Sequence, residues 1–181
     1  ASDVYKRQDP TRDEARVESV LAEALEAGLV SDAVLASTGA LNEALWALRD
    51  SVDVLAAGKP TQVFDVSLPI GAMGAYVETV KVGVAAVDPD ARVFTFGHLG
   101  DGNLHFVITP RPRSSEGVTA IEAAVYDPLK ALRGSVSAEH GIGLKKKPWL
   151  GHSRSSAEVK LMQTLREALD PRGILNPGKV C

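Results

Sequence analysis

The sequence predicts an α+β fold, in which an antiparallel sheet has helices packed on one side and a helical C-terminal segment follows. Two observations predict it. Segments with helical spacing of apolar residues alternate with short strand patterns, in the order of a split βαβ, ferredoxin-like arrangement. An Asp-Gly turn joins two consecutive strands, and such a tight turn connects antiparallel neighbours. The 181 residues, 45% of them apolar, are enough for one domain with a core.

Two helices are predicted before the first strand. The first covers about 11–27 and ends at Gly28, because glycine is common just after a helix C-terminus. The second covers about 40–56 and ends before Pro60, which cannot continue a helix. Residues 1–10 have neither helical nor strand periodicity. We therefore expect a disordered or non-native tail over 1–10 and a single domain over 11–181.

The sheet and its helices are predicted from alternation and from end signals. Strands are expected at about 62–68, 93–96 and 104–109, and helices at about 70–87, 116–132 and 155–169. Ser155 and Glu158 form a capping-box pattern at the start of the last helix. The stretch 138–150 is glycine-rich and irregular. Its lysine run, 145–147, is expected to be solvated, with an anion-attracting rim as the alternative.

Composition and charge narrow the class of protein. A net charge of −3 gives no clustered basic face for nucleic acid. No apolar run approaches the roughly 18 residues that cross a bilayer, so we expect no transmembrane segment. No signal-peptide pattern is present, and we expect a cytoplasmic location. The single cysteine, Cys181, excludes a disulfide scaffold and a cysteine-based zinc site.

The most informative segment is a histidine-bearing hairpin over 96–106. If Asp101-Gly102 is a two-residue turn, His98 lies opposite His105, and directly opposed residues share a face with Cβ atoms about 4.5–5.5 Å apart. Asn103, two residues from His105, points the same way. Two imidazoles at that separation can reach one metal ion. The alternative is a hairpin whose polar residues only face water.

A second cluster, Glu139-His140, precedes a Gly-x-Gly sequence. Glu139 offers a carboxylate ligand and His140 a base. Two histidines and one carboxylate make a three-ligand site with open positions, which is how catalytic metals are held. The spacing alone does not bring Glu139 to the hairpin. From the residues alone, a metal-dependent hydrolase that activates water and a non-catalytic metal-binding domain both stay open.

Three motifs in order resemble the C-terminal domain of FAD-linked oxidases, in the branch of the D-2-hydroxyglutarate and D-lactate dehydrogenases. They are Gly97-His-Leu-Gly-Asp-Gly-Asn-Leu-His105, Ala138-Glu-His-Gly-Ile-Gly143 and Asp170-Pro-Arg-Gly-Ile-Leu-Asn-Pro-Gly-Lys179. Leu45-Trp-Ala-Leu-Arg49 and Asp65-Val-Ser-Leu-Pro69 also resemble that branch. The resemblance covers roughly residues 13–180.

The resemblance implies the substrate- and metal-binding domain of an FAD-dependent dehydrogenase that oxidises a D-2-hydroxy acid to the 2-oxo acid. FAD would be bound mainly by a separate N-terminal domain of the same polypeptide, absent from this chain. The electron acceptor stays unknown, and a homodimer is left open. The resemblance implies that a divalent metal ion, such as zinc, is bound by His98, His105 and Glu139. It implies that the substrate is bound by Arg49, Asn103 and His140, and that His140 is also the catalytic residue. It implies a flavin contact for Asn176.

Two positions depart from the pattern of that branch. Val63 stands where the branch has a lysine, and Asp53 stands where it has a threonine. Both family residues help to hold a dicarboxylate. An acidic Asp53 near the site would repel a second carboxylate. The expectation is therefore a D-2-hydroxy acid, without commitment to 2-hydroxyglutarate.

Overall fold

A computed structural model describes residues 9–51, 61–109 and 114–181. The chain divides into two compact units, one ending at Ser51 and the other beginning at Val52. The expected tail over 1–10 lies outside the described residues except at its end. There, Asp9 caps the first helix by accepting a hydrogen bond from the backbone of Arg12, and Pro10 is the first helical residue. The last two residues of the expected tail therefore belong to the helix start.

The described part of the first unit, residues 9–51, contains two helices. Helix α1 spans Pro10–Glu26 and helix α2 spans Gly39–Asp50. Gly28 follows the first helix with φ +67°, the conformation for which glycine was expected there. Thr38 caps the second helix through its side chain. The expected continuation of α2 over 52–56 lies outside the described residues.

The second unit contains a three-stranded antiparallel sheet. Its strands are β1 (Gln62–Ser67), β2 (Arg92–His98) and β3 (Asn103–Thr109), in the order β1-β3-β2. Helix α3 (Met73–Val87) connects β1 to β2, so the central strand β3 is inserted between the two strands of a βαβ unit. A single antiparallel bridge, Ser67 to Ser135, adds a partner at the outer edge of β1. The expected split βαβ arrangement is confirmed.

One face of this sheet packs on two helices. Helix α4 spans Ser115–Leu132, and together with α3 it covers the core face of the sheet. The core side chains are Phe64, Val66, Leu104, Phe106 and Ile108 from the strands, Tyr76, Val80 and Val84 from α3, and Ile121, Val125 and Leu129 from α4. By length and composition, the stretch Ile70–Val87 is long and apolar enough to cross a membrane, so the expectation that no apolar run approaches that length is wrong. Four of its side chains are buried in this core.

The C-terminal part of the second unit is helical and irregular, as expected. Helix α5 spans Ser156–Leu169 and begins with the capping box between Ser155 and Glu158 that the sequence predicts. A 3-10 turn over Lys147–His152 precedes it. After α5, the guanidinium of Arg166 donates to three carbonyl oxygens of the terminal segment, which holds that segment against the helix.

The hairpin between β2 and β3 has a longer turn than the sequence indicated. His98 pairs with Asn103, and His105 pairs with Phe96, so the expected pairing of His98 with His105 is wrong by two residues. The cause is a 3-10 turn over Leu99–Asp101, which Gly102 closes in the left-handed conformation with φ +64°. A two-residue offset keeps every side chain on its face of the sheet, whereas a one-residue slip would have reversed it.

Candidate functional site

The candidate site lies on the sheet face opposite the helices, which we call the site face. Because alternate residues of a strand share a face, His98, Asn103 and His105 all belong to it, and so does Asp65, which pairs with His105 across β1 and β3. His105 and Asn103 are almost fully buried because they lie on the central strand. Gly97 keeps the two strands close, since a Cβ there would collide with the backbone carbonyl of Asn103.

A carboxylate from outside the sheet completes a metal-type cluster on this face. Oε1 of Glu139 lies 3.1 Å from Nε2 of His105 and 3.7 Å from Nε2 of His98. One ligand atom from each of the three residues lies within 4.8 Å of the others. The segment after α4 thus brings Glu139 to the hairpin, which spacing in the sequence did not establish.

Two of the three ligand separations are compatible with a zinc ion. Tetrahedral zinc with ligands at about 2.0–2.2 Å places neighbouring ligand atoms about 3.3–3.6 Å apart, close to the two distances measured here. Burial lowers the pKa of His105, although the nearby Glu139 carboxylate opposes this, so the neutral imidazole that binds metals is favoured. The buried Oδ1 of Asn103 has no hydrogen-bond partner among the described residues. A buried unpaired acceptor of this kind fits a donor or a cation that comes with a ligand.

His140 stands beside the cluster in an orientation suited to a base. Its ring stacks on that of His105, with centroids 5.3 Å apart and planes at 24°. Nδ1 lies 3.4 Å from Oδ1 of Asp65, and Nε2 lies 3.9 Å from Oε1 of Glu139. The side chain is half exposed. An imidazole with one nitrogen towards a carboxylate keeps its other nitrogen for proton exchange.

Asp65 is a central residue of the site that the sequence reasoning did not select. It is fully buried, and its Oδ2 accepts hydrogen bonds from the backbone N–H groups of Ala138, Glu139 and His140 at 2.9, 2.7 and 2.8 Å. Burial acts to raise the pKa of Asp65, but these hydrogen bonds and the ammonium of Lys146 outweigh it and hold the pKa below its usual value. The carboxylate is therefore charged inside the fold.

Lys146 supplies the opposite charge, which corrects the expectation of a solvated lysine run. Its side chain is buried, and its ammonium contacts Oδ1 of Asp65 and donates to the hydroxyl of Ser137 at 3.0 Å. Lys147 donates to the carbonyl of Gly178 instead. A sequence signal for the pair was available. Asp65 stands between the strongly apolar Phe64 and Val66, in a segment that reads as a buried strand. A charged side chain in a buried strand requires a partner of opposite charge or hydrogen-bond donors.

The remaining expected site residues have separate places. Arg49, near the end of α2 in the first unit, pairs with Asp50 at 2.8 Å and lies over the ring of Trp46. Val63 belongs to the site face and is 52% exposed. Asn176 is exposed, has φ +47°, and accepts from Lys179 through its side chain. Asp53 lies outside the described residues. The roles expected for Arg49 and Asn176 stay predictions.

The fold and this arrangement define an α+β domain with a candidate metal site and an adjacent imidazole, that of His140. The chain matches the family described as FAD linked oxidases, C-terminal domain, over residues 4–180. It therefore belongs to that family, as the three sequence motifs indicated.

Relatives with names of their own match most of the chain. D-2-hydroxyglutarate dehydrogenase of Rattus norvegicus is 41% identical over 169 residues, which are 92% of this chain and 31% of the relative. The Bos taurus protein of that name is 39% identical over 173 residues, 94% of this chain and 31% of the relative. A Schizosaccharomyces pombe protein named after D-lactate dehydrogenase is 37% identical and matches 92% of this chain and 34% of its own length. The chain thus spans about a third of the length of these curated relatives.

Proposed function

We propose that this chain is the substrate- and metal-binding domain of an FAD-dependent dehydrogenase that oxidises a D-2-hydroxy acid to the 2-oxo acid. The observation that carries the proposal is the convergence of His98, His105 and Glu139 beside His140, in a chain of the FAD-linked oxidase family. A divalent ion held by the three ligands would supply Lewis acidity toward the oxygens of the substrate. FAD, when bound, supplies the hydride acceptor.

Oxidation of a secondary alcohol to a ketone removes a hydride from carbon and a proton from oxygen. The protein's own task is to take the proton, and His140 is the base we assign to it. Nδ1 of His140 is directed to Asp65, so the proton goes to Nε2, the nitrogen on the Glu139 side of the ring. Because His98, His105 and Glu139 are assigned to the ion, His140 is the motif histidine left for this role.

The substrate is held by groups that favour an α-hydroxy carboxylate. We assign Asn103, whose buried Oδ1 lacks a partner among the described residues, to the substrate hydroxyl. The carboxylate-binding role expected for Arg49, a residue of the first unit, stays a prediction. Val63 places an apolar, half-exposed side chain on the site face where a dicarboxylate-binding branch has a lysine. This favours a monocarboxylic D-2-hydroxy acid over 2-hydroxyglutarate. Several relatives are named as mitochondrial, and the cytoplasmic location expected for this chain stays a prediction.

The hydrolase and the non-catalytic metal-binding domain would use the same three ligands. The family match favours the dehydrogenase, because it adds a flavin reaction for which His140 and the hydroxy-acid site are suited. The test is anaerobic reduction of bound flavin by D-lactate, D-2-hydroxyglutarate and their L enantiomers, in the complete polypeptide that carries this chain. Flavin bleaching by a D acid alone, with about one metal ion per chain by elemental analysis, supports the proposal. A polypeptide that binds metal, carries no flavin and hydrolyses esters or amides contradicts it.

A further inference from the structure

We propose that the buried pair Asp65–Lys146 is the positioning element of this site, in which one carboxylate sets the places of both Glu139 and His140. Asp65 touches neither substrate nor ion in this proposal, and it acts through the segment 137–146, which we call the ligand loop. The role assigned to the pair rests on the proposed function, because it concerns the same ligands and the same base.

The ligand loop needs such an element because it has no helix or strand of its own. Residues 137–146 consist of bends, turns and irregular backbone, so no ladder of backbone hydrogen bonds fixes the direction of Glu139. Instead, three successive N–H groups, those of 138–140, converge on one oxygen of Asp65. The hydroxyl of Ser137 lies 3.3 Å from the same oxygen. Asp65 therefore supplies the loop with the hydrogen bonds that a regular element would have supplied.

The other oxygen of Asp65 closes the loop at its far end. Oδ1 receives the ammonium of Lys146, which also donates to Ser137 at 3.0 Å. The loop is thus held to strand β1 near both of its ends by one side chain. The carboxylate stays charged in the interior because it has a full set of donors and a cation, the condition under which buried charges are tolerated.

One consequence joins the ligand to the base. Oδ1 of Asp65 lies 3.4 Å from Nδ1 of His140, while the backbone of Glu139 is bonded to Oδ2. Because Asp65 also pairs with His105 across β1 and β3, the strand register places its carboxylate next to a ligand of the hairpin. A single strand residue thus connects the hairpin ligands, the loop ligand and the base.

The test compares zinc affinity and loop protection in Asp65→Asn with those of the wild type, both in the complete polypeptide that carries this chain. Groups that orient metal ligands typically contribute 10- to 100-fold to affinity, so we expect Asp65→Asn to bind zinc about 10- to 100-fold more weakly in a competition titration with a chromophoric chelator. In Asp65→Asn an NH2 donor replaces one of the two carboxylate oxygens, and the negative charge is lost. The hydrogen bonds from the N–H groups of 138–140 should weaken, so these groups should also exchange with deuterium faster. Where the wild type binds zinc, unchanged affinity in Asp65→Asn overturns the proposal, whatever the exchange rates of 138–140.

Two further variants separate positioning from general stability. Val84→Ala creates a gap in the core on the opposite face of the sheet, and it should lower the melting temperature without changing zinc affinity. Asp65→Asn combined with Lys146→Met removes both buried charges together and should recover much of the melting temperature lost in Asp65→Asn. We expect its zinc affinity to stay reduced. Recovery of affinity together with the melting temperature would show that the pair only stabilises the fold.

The experiment keeps the two proposals apart. A wild-type chain that binds no zinc overturns the metal part of the proposed function, and exchange at 138–140 then still decides whether Asp65 holds the loop. Zinc binding by the wild type with equal affinity in Asp65→Asn overturns the positioning role and leaves the metal site standing.

Discussion

Nδ1 of His140 lies 3.4 Å from Oδ1 of Asp65, so a half-exposed imidazole has one of its nitrogens beside a buried, charged carboxylate. A carboxylate in this position can accept a hydrogen bond from Nδ1–H, which favours the tautomer that leaves Nε2 without a proton. This pairing motivates the first prediction, in which His140 is the base and Asp65 is the group that orients it.

His140→Ala should slow flavin reduction by a D-2-hydroxy acid by roughly 10²- to 10⁴-fold, the usual contribution of a general base. Zinc content should not change, because the three ligands remain, and the loss should fall on the reduction rate more than on substrate binding. Anaerobic stopped-flow measurement of the flavin band in the complete polypeptide gives both quantities. His152→Ala is a matched control, since His152 also lies beside a carboxylate, that of Asp127 at 2.9 Å. Wild-type reduction rates in His140→Ala would place the base elsewhere.

His98→Ala and His105→Ala should each abolish tight zinc binding, because a two-ligand remnant holds the ion weakly. Binding in the wild type should also weaken from pH 7 to pH 5, as protons compete for the imidazoles. Elemental analysis after dialysis and a chelator competition measure these effects. The His152→Ala variant serves again as the control with one histidine fewer. Equal metal content in all four proteins would show that the cluster does not bind metal.

The stability of the metal-free chain should depend on pH through His105. Burial lowers the pKa of this residue below its usual 6.5, so the folded state disfavours the charged ring. Below pH 6.5 the unfolded chain binds more protons than the folded chain, and the free energy of unfolding falls as the pH falls through the lowered folded pKa. Urea denaturation in EDTA between pH 7.5 and 5 should show this fall. In His105→Gln the same decline should be shallower, and an identical decline in both proteins would contradict the assignment.

Val63→Lys should shift substrate preference toward a dicarboxylate. Val63 is 52% exposed and belongs to the site face, where its neighbour two residues on, Asp65, pairs with His105. A charge-assisted hydrogen bond contributes about 1.5–3 kcal/mol, so the ratio of kcat/KM for D-2-hydroxyglutarate to that for D-lactate should rise roughly tenfold or more. Val63→Met adds length without charge and should leave the ratio near that of the wild type. A ratio that rises equally in both variants would point to side-chain size and not to charge.

Local patterns predicted the elements of the fold well, because their signals lie within a few residues. The capping box at Ser155 and Glu158 and the glycine after α1 are both present. The hairpin register was predicted less well. The pattern Asp101-Gly102 indicated a two-residue turn, but the chain folds a 3-10 turn before Gly102, whose carbonyl accepts a hydrogen bond from the backbone of Leu68. That contact comes from another part of the chain, and a turn signal does not contain it.

The sequence indicated the hairpin residues of the candidate site, His98 and His105, but it did not indicate the buried pair Asp65 and Lys146. The period of two along a strand placed His98 and His105 on one face whichever even register the hairpin took. The meeting of Glu139 with that face depends on Asp65, which lies 74 positions from it in the chain. The burial of Lys146 also depends on a distant residue. A run of three lysines indicates a solvated surface unless a buried carboxylate is known to face one of them, as Asp65 faces Lys146.

The attachment of the ligand loop to strand β1 has a consequence for how an ion would enter. Ser135 bridges to Ser67 at the start of the loop, and Lys146 meets Asp65 at its end, so the chain between them is already ordered. Small metal domains that are unfolded without their ion must order the chain when the ion binds. Here the conformational entropy of the ligand loop is lost when the sheet folds, before any ion binds. Removal of the ion by a chelator should therefore leave the loop folded, and rebinding of the ion should need no refolding step. We therefore expect a preorganised site whose ion, once bound, exchanges without unfolding of the domain.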